Sequence, residues 1–157
     1  MNDKFIKLYD DYKNDIYRLA ISYTKNKHDS EDIVQNVFFK YYKNIDKVEE
    51  EYIKQWLIKV TINECKNLLL SSWKKRILPF TEKEENMVID NIEDDSLLTE
   101  IFKLPKKNRI IIHLYYYENY DVKAIAKLLK MTESNVKVNL YRSRKLLKNI
   151  LEENYER

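Results

Sequence analysis

Glycine is absent from the 157 residues, and proline occurs only twice. Without glycine there is no phosphate-cradling loop, no collagen-like repeat, no flexible Gly/Ser linker and little means of making glycine-dependent tight hairpins. A mostly helical chain is the expectation. The single cysteine, Cys65, cannot form an internal disulfide or a zinc cluster, and the two histidines, His28 and His113, lie too far apart in sequence to read as a metal-ligand pair. No metal and no cofactor is therefore expected, and a reducing cytoplasm fits. No apolar stretch approaches the roughly 20 residues of a membrane span. The opening Met1-Asn2-Asp3-Lys4-Phe5 lacks the hydrophobic block of a signal peptide, so neither insertion nor secretion is expected. No His, Cys and Ser constellation suggests catalysis, and the acidic residues fall at helix starts, where capping is their ordinary use, or in the acidic middle of the chain. An enzyme is not expected, and no residue is assigned as catalytic.

What the chain does contain is charge, with 29 Lys and Arg against 26 Asp and Glu for a net +3, and this charge is unevenly placed. Residues 1–70 carry 12 basic and 12 acidic side chains, residues 71–100 carry 4 and 8, and residues 101–157 carry 13 and 6. An acidic middle thus separates a balanced N-terminal part from a basic C-terminal one, and that asymmetry suits a polyanion partner for the basic end. Any Lys-rich chain could have a basic end by chance. The stretch from Thr81 to Asp95 has short apolar islands and no sustained 3.6-residue period, which reads as a linker. Tyrosine is frequent, with 13 copies, but so are Lys, Asn and Ile; an AT-rich genome gives that bias, so it is no argument for base stacking.

In the first part, Phe5, Leu8, Tyr9, Tyr12, Ile16, Leu19, Ala20 and Tyr23 keep one stripe along a helix of about five turns. After the polar break Lys25-Asn26-Lys27-His28, Asp29-Ser30-Glu31-Asp32 has the form of a capping box, with Asp29 as the cap of a second helix. That helix buries Ile33, Val34, Val37, Phe38 and Tyr41 and leaves Asp32, Gln35, Asn36, Phe39 and Lys40 outside. A charged loop from about Asn44 to Glu51 leads to a third helix with Ile53, Trp56, Leu57, Val60, Thr61, Leu68 and Leu69 at helical spacing. Its other face stacks Lys59, Asn63, Lys66 and Asn67, and Trp73-Lys74-Lys75-Arg76 gives it a cationic end. Such a face suits a nucleic-acid backbone with amides near the bases, although a solvated helix face has the same composition.

In the last part, Leu104-Pro105 opens a helix whose buried stripe is Ile110, Ile111, Leu114 and Tyr115. Asp121 caps a short helix from Val122 to Leu129, Lys130-Met131-Thr132-Glu133 makes a turn, and a long helix runs from about Ser134 to Asn149. These are helix-turn-helix lengths. Ala126 is small where two helices must cross, Met131 can plug the turn, and Val136 and Leu140 face the core. A plain helical hairpin shares some of this pattern, but it does not require Lys137, Arg142, Arg144, Lys145 and Lys148 on a helix with no acid between Ser134 and Asn149. In a major groove, Ser134, Asn135, Lys137, Val138 and Tyr141 would lie near base edges, with Arg142 and Lys145 near phosphates.

The order of these pieces resembles the extracytoplasmic-function sigma factors of bacterial RNA polymerase. The resemblance spans nearly the whole chain. Asp29-Ser30-Glu31-Asp32-Ile33-Val34-Gln35-Asn36-Val37-Phe38 is similar to the family's acidic-aliphatic-Gln-Phe signature, and Trp56-Leu57-Ile58-Lys59-Val60-Thr61-Ile62-Asn63 to its Trp-Leu helix. Leu104-Pro105-Lys106-Lys107-Asn108-Arg109, Ile125-Ala126 and Asn135-Val136-Lys137-Val138-Asn139-Leu140-Tyr141-Arg142-Ser143-Arg144 resemble its promoter-reading helix-turn-helix. The resemblance implies an all-α protein: a helical domain over 1–76, a flexible acidic linker over 77–100, and a helix-turn-helix domain over 101–157. It implies that Asp32, Gln35, Asn36 and Phe39 bind core polymerase at the clamp helices of its largest subunit, with a further contact at the flap. Asn44, Lys54, Trp56, Lys59, Asn63 and Lys66 would engage the minus-10 element and capture a flipped base, although the place of Trp56 in the apolar stripe favours core packing over base stacking. Lys137, Val138, Tyr141 and Arg142 would read the minus-35 element beside Ser134, Asn135 and Lys145, while Arg109 and Arg144 would touch phosphates. An anti-sigma factor would hold the protein inactive by covering these surfaces.

Two positions depart from the family pattern. Lys130 stands where glycine is common, so a left-handed conformation kept there carries strain. Ala124 stands where an acidic residue often precedes Ile-Ala. Two other readings of the chain are a stand-alone helix-turn-helix regulator binding operators without polymerase, and a helical interaction module whose basic helix takes an acidic partner. No clear dimerisation helix supports the first.

Overall fold

The computed structural model describes residues 3–75 and 96–155; Arg76 and the acidic stretch from Thr81 to Asp95 lie outside the described residues. The chain divides into two compact units, Met1–Val88 and Ile89–Arg157.

Among the described residues, three helices form the first unit: α1 (Asp3–Thr24), α2 (Lys27–Lys43) and α3 (Ile53–Lys75), with a 3-10 turn over Glu50–Tyr52 leading into α3. Each packs against the other two. Leu19 and Ala20 of α1, Val37 of α2, and Leu57 and Cys65 of α3 are fully shielded from solvent, as the 3.6-residue period of their apolar positions requires. Ile58 and Ile62 are buried as well, outside the stripe read from the sequence, because two helices rather than one cover α3 and bury a wider arc of it. The aromatic rings lock the three elements together: Tyr9 of α1 meets Phe38 of α2 edge-on at 4.9 Å, and Tyr41 of α2 meets Trp56 of α3 at 5.8 Å.

The turn from α1 to α2 is built without glycine. Lys25 takes φ 50° and donates its N–H back to the Ile21 carbonyl. Asn26 then returns to extended backbone, and its side-chain oxygen accepts the Asp29 N–H at 2.9 Å. The cap of α2 is therefore Asn26 and not Asp29 as the sequence pattern suggested; the reversal at Lys25 starts the helix at Lys27, which places Asp29 in the first turn, where its carboxylate opposes the helix dipole. Beneath this turn the buried hydroxyls of Thr24 and Ser30 share a 2.7 Å hydrogen bond.

The second unit contains α4 (Ser96–Ile101), α5 (Lys106–Tyr116), α6 (Val122–Leu129) and α7 (Glu133–Tyr155). Helices α4, α5 and α6 all pack on α7. Ile101, Phe102 and Leu104 seal one side of the core, and Ile111, Leu114, Ile125, Val136 and Leu140 fill its centre. Pro105 precedes α5 in extended backbone, and Asn119 reverses the chain after it at φ 56°. Asp121 caps α6 by accepting the Ala124 N–H at 2.7 Å. At the other end of α6, Lys130 adopts φ 57° and ψ 48°, and both its N–H and that of Met131 bond to the Ala126 carbonyl. The left-handed turn of the helix-turn-helix is thus kept without the glycine that would make it free of strain. Thr132 restarts the chain as a helix by accepting the Asn135 N–H at 3.1 Å. α7 runs on past Asn149 to Tyr155, since Leu147, Ile150 and Leu151 stay half-buried and continue its apolar stripe.

Candidate nucleic-acid interface

On α7, Val136, Leu140 and Ser143 are buried, at spacings of four and three residues, and this inner stripe fixes which side of the helix meets solvent. Ser134, Lys137, Val138, Tyr141, Arg142 and Lys145 follow one another at three- and four-residue steps on the outer side, and all six are exposed. Val138 is 45% accessible and Tyr141 68%, unusual for apolar and aromatic side chains in a helix packed on its opposite face. Lys137, Arg142 and Lys145 make no ion pair among the described residues. The helix thus offers an apolar and aromatic centre flanked by unpaired cations, a composition matched to base edges between phosphates. Asn135 lies at the flank of this stripe, exposed, with its side chain bonded to Asn139.

The two remaining arginines of the sequence-derived minus-35 set are placed differently. Arg109 is buried and donates to the Leu104 carbonyl at 3.0 Å, so it braces the start of α5 inside the core and does not share the exposed face. Its guanidinium, which read as a phosphate contact, is a structural group. Arg144 is at the surface, but its Nε donates to the Tyr116 hydroxyl at 2.7 Å and its guanidinium lies over the Tyr115 and Tyr116 rings at 5.1 and 5.7 Å. The Tyr116 hydrogen bond raises its already high pKa further. It is held to α5, beside the exposed stripe rather than within it.

In the first unit, Lys59 and Asn63 are exposed and Lys66 half-buried on one face of α3, with Trp56 half-buried on the same side one turn earlier. Trp56 packs on Tyr41, the two rings inclined at 64°, and is only half-buried. Lys54 does not join them: nine residues at about 100° each put it half a turn from Asn63. Asn44 closes α2, its side-chain amide donating to the Lys40 carbonyl at 2.8 Å. On α2 the exposed Asp32, Gln35, Asn36 and Phe39 form a stripe at three- and four-residue steps, opposite the buried Ile33, Val37 and Phe38. Phe39 is 58% accessible with the Lys43 ammonium over its ring at 4.3 Å, and Lys40 beside it is ion-paired to Glu64 of α3.

The sequence reading missed the groups that hold the α7 stripe in place. Asn108 of α5 donates to the Ser143 hydroxyl at 2.9 Å, and Ser143 in turn donates to the Asn139 carbonyl at 2.6 Å. A buried serine on the apolar stripe of a long helix was the available signal, since such a hydroxyl needs a partner across the interface.

Comparison with known proteins agrees with this arrangement. The Sigma-70 region 2 model matches residues 8–75, covering α1 to α3, and the Sigma-70 region 4 model matches residues 94–147, covering α4 to most of α7. RNA polymerase sigma factor SigV of Bacillus subtilis is 32% identical over 88% of this chain and 85% of its own. ECF RNA polymerase sigma factor SigM of the same bacterium is 27% identical over 90% and 91%. Among solved structures, the sigma factor RpoE in its co-crystal with the anti-sigma factor NepR from Bartonella quintana shares the fold, with a TM-score of 0.71 at 17% identity over 96% of this chain and 98% of that one. CnrH in complex with the cytosolic domain of CnrY gives 0.63 at 20% identity over 96% and 90%. With both sigma-70 regions in order and a relative above 30% identity along nearly its full length, the chain belongs to the extracytoplasmic-function sigma factors of the sigma-70 family, regulatory DNA-binding proteins that direct promoter-specific transcription.

Proposed function

We propose a division of labour in which residues 1–76 bind core polymerase and the minus-10 element, residues 96–157 read the minus-35 element, and the acidic stretch between them passes near the RNA exit path; the linker expected over 77–100 gives way at Ser96 to α4, which packs on α7. The α2 stripe of Asp32, Gln35, Asn36 and Phe39 docks on the clamp helices of the largest subunit, and the second unit meets the flap. Lys59, Asn63 and Lys66, with Trp56 and the loop beginning at Asn44, engage the opened minus-10 strand. Unstacking a base costs a few kcal/mol, which amide and aromatic partners offset. Ser134, Asn135, Lys137, Val138, Tyr141, Arg142 and Lys145 enter the major groove at minus-35. The protein has no chemistry of its own, works in the cytoplasm, and is held inactive by an anti-sigma factor that covers the same surfaces.

One observation carries the reading: the exposed α7 stripe with its three unpaired cations, on the helix that a helix-turn-helix presents to DNA. If each cation neutralises one phosphate, the three together contribute roughly −3 to the slope of log affinity against log salt. The test is co-elution of the folded protein with core RNA polymerase, followed by run-off transcription from genomic fragments. Promoter-specific transcripts from the co-eluting complex are expected. A folded protein that ignores core polymerase yet shifts duplex DNA would make it a conventional regulator, and failure at both would leave an interaction module.

A further inference from the structure

Asn139 sits one turn along α7 from Asn135, and its side-chain nitrogen makes two hydrogen bonds, one to the Asn135 backbone carbonyl at 2.8 Å and one to the Asn135 side-chain oxygen at 2.9 Å. The first bond fixes the second. A backbone carbonyl can only accept, so the end of the Asn139 amide that faces it must be the NH2 group. The other hydrogen of that NH2 then needs an acceptor, and the Asn135 atom it meets must be Oδ1. Neither amide can be turned over without setting oxygen against oxygen or NH2 against NH2. The backbone at this level of α7 is itself anchored to α5, through the Ser143 hydroxyl on the Asn139 carbonyl and Asn108 on Ser143.

Resting on the minus-35 reading of α7 given above, we propose that Asn139 is a positioning residue that sets the hydrogen-bond polarity of Asn135, so that Asn135 offers its NH2 group as the free end of the amide to the major groove. An asparagine that pairs with adenine uses both ends of its amide on one base edge. Here one lone pair of the Asn135 oxygen is already taken by Asn139, so the NH2 group is the end of the amide left wholly free for a base edge. The matching edges are acceptors, the O6 and N7 of guanine, the N7 of adenine or the O4 of thymine; cytosine, which offers only its N4 donor, is disfavoured. Lys137, Val138 and Tyr141 contribute their own contacts, but none of them is hydrogen-bonded to this amide pair among the described residues.

The experiment is run-off transcription with core polymerase from a duplex promoter library randomised across the minus-35 element, with transcripts sequenced to give base preferences. Asn135→Ala locates the base pair that Asn135 reads, as the position where preference flattens. At that position the parent should favour guanine or thymine over cytosine by about fivefold, the ratio expected of one well-made neutral hydrogen bond. Asn139→Asp replaces the donor by a carboxylate that only accepts and is repelled by the Asn135 carbonyl, which removes the hold on the Asn135 oxygen and favours an amide turned with its NH2 towards the carboxylate; the discrimination against cytosine should be lost or reversed. The added negative charge weakens binding to every library member alike and cancels in the ratios. Asn139→Ala frees the amide and should flatten the preference while leaving melting by circular dichroism within a few degrees of the parent. An unchanged base preference in Asn139→Asp or Asn139→Ala would overturn the proposal, as would an Asn135→Ala variant with the parent's preferences at every position. Should Asn139→Asp transcribe nothing, the Asn139→Ala preferences decide. Absence of any minus-35 dependence in the parent would instead refute the reading of α7 as a promoter helix.

Discussion

Replacing Lys130 by glycine should stabilise the second unit. Lys130 closes α6 at φ 57° and ψ 48°, with its N–H and that of Met131 both committed to the Ala126 carbonyl, so the left-handed backbone is fixed by the turn that sets α6 against α7. An L-residue with a Cβ pays about 1–2 kcal/mol for that conformation. Glycine removes the clash but has more freedom to lose on folding, about 0.5–1 kcal/mol. The net gain spans about 0–1.5 kcal/mol and centres at about 0.75 kcal/mol, and at about 4–8 °C per kcal/mol for a domain of this size the melting midpoint should rise by roughly 3–6 °C. Both tryptophans, Trp56 and Trp73, belong to the first unit, so far-UV circular dichroism reports on the second unit where tryptophan fluorescence does not. Lys130→Ala is the control, since it removes the charge and keeps the Cβ; no gain is expected from it. A Lys130→Gly midpoint at or below the parent's, or an equal gain from Lys130→Ala, would refute the attribution to backbone strain.

Asn26→Ala removes the acceptor for the Asp29 N–H and should cost the first unit about 1 kcal/mol, read as a lower urea midpoint by tryptophan fluorescence, with Asn26→Asp restoring most of it. Lys137→Ala with Arg142→Ala should weaken minus-35-dependent transcription and reduce the salt dependence of DNA binding by roughly two in slope, while co-elution with core polymerase stays intact; equal activity of mutant and parent would remove these residues from the DNA face. Cys65 is fully buried, and burial first, with Glu64 adding to it, pushes its thiol well above the ordinary value of 9.0. It should resist thiol reagents in the folded protein and react on unfolding. Because the unfolded thiol loses its proton above about pH 9 and the folded one does not, the unfolded state binds fewer protons there and stability should fall as pH rises through that range. Tyr23, raised by the same burial, acts in the same direction from about pH 10. A urea midpoint that is flat between pH 8 and about pH 10.5 would contradict both assignments.

The elements of this fold are legible in the sequence where the signal is local. Asp121 caps α6 and the helix runs from Val122 to Leu129, as a capping side chain followed by apolar residues at helical spacing dictates. Val136 and Leu140 are buried, and the Lys137, Tyr141 and Arg142 face opposite them is exposed, because a 3.6-residue period assigns each position an angle around its helix. The same rule places Asp32, Gln35, Asn36 and Phe39 together on α2. Even the strain at Lys130 follows from the chain having no glycine to put there.

Tertiary structure alone decides what each exposed or buried position is for. In sequence Arg109, Arg144 and Arg142 are three cations near a basic helix; in the fold the first is buried on the Leu104 carbonyl, the second is held by Tyr116, and the third is left to solvent. The helical period gives an angle but not which neighbour crosses at that angle, and a long cationic side chain serves equally as a core brace or a phosphate contact until that neighbour is known. The cap at Asn26 rather than Asp29 follows from a reversal at Lys25, and the Asn108, Ser143 and Asn139 chain spans residues more than thirty positions apart. Local physics in the sequence sets the helices and their faces, and long-range packing selects which polar groups on those faces remain available to a partner.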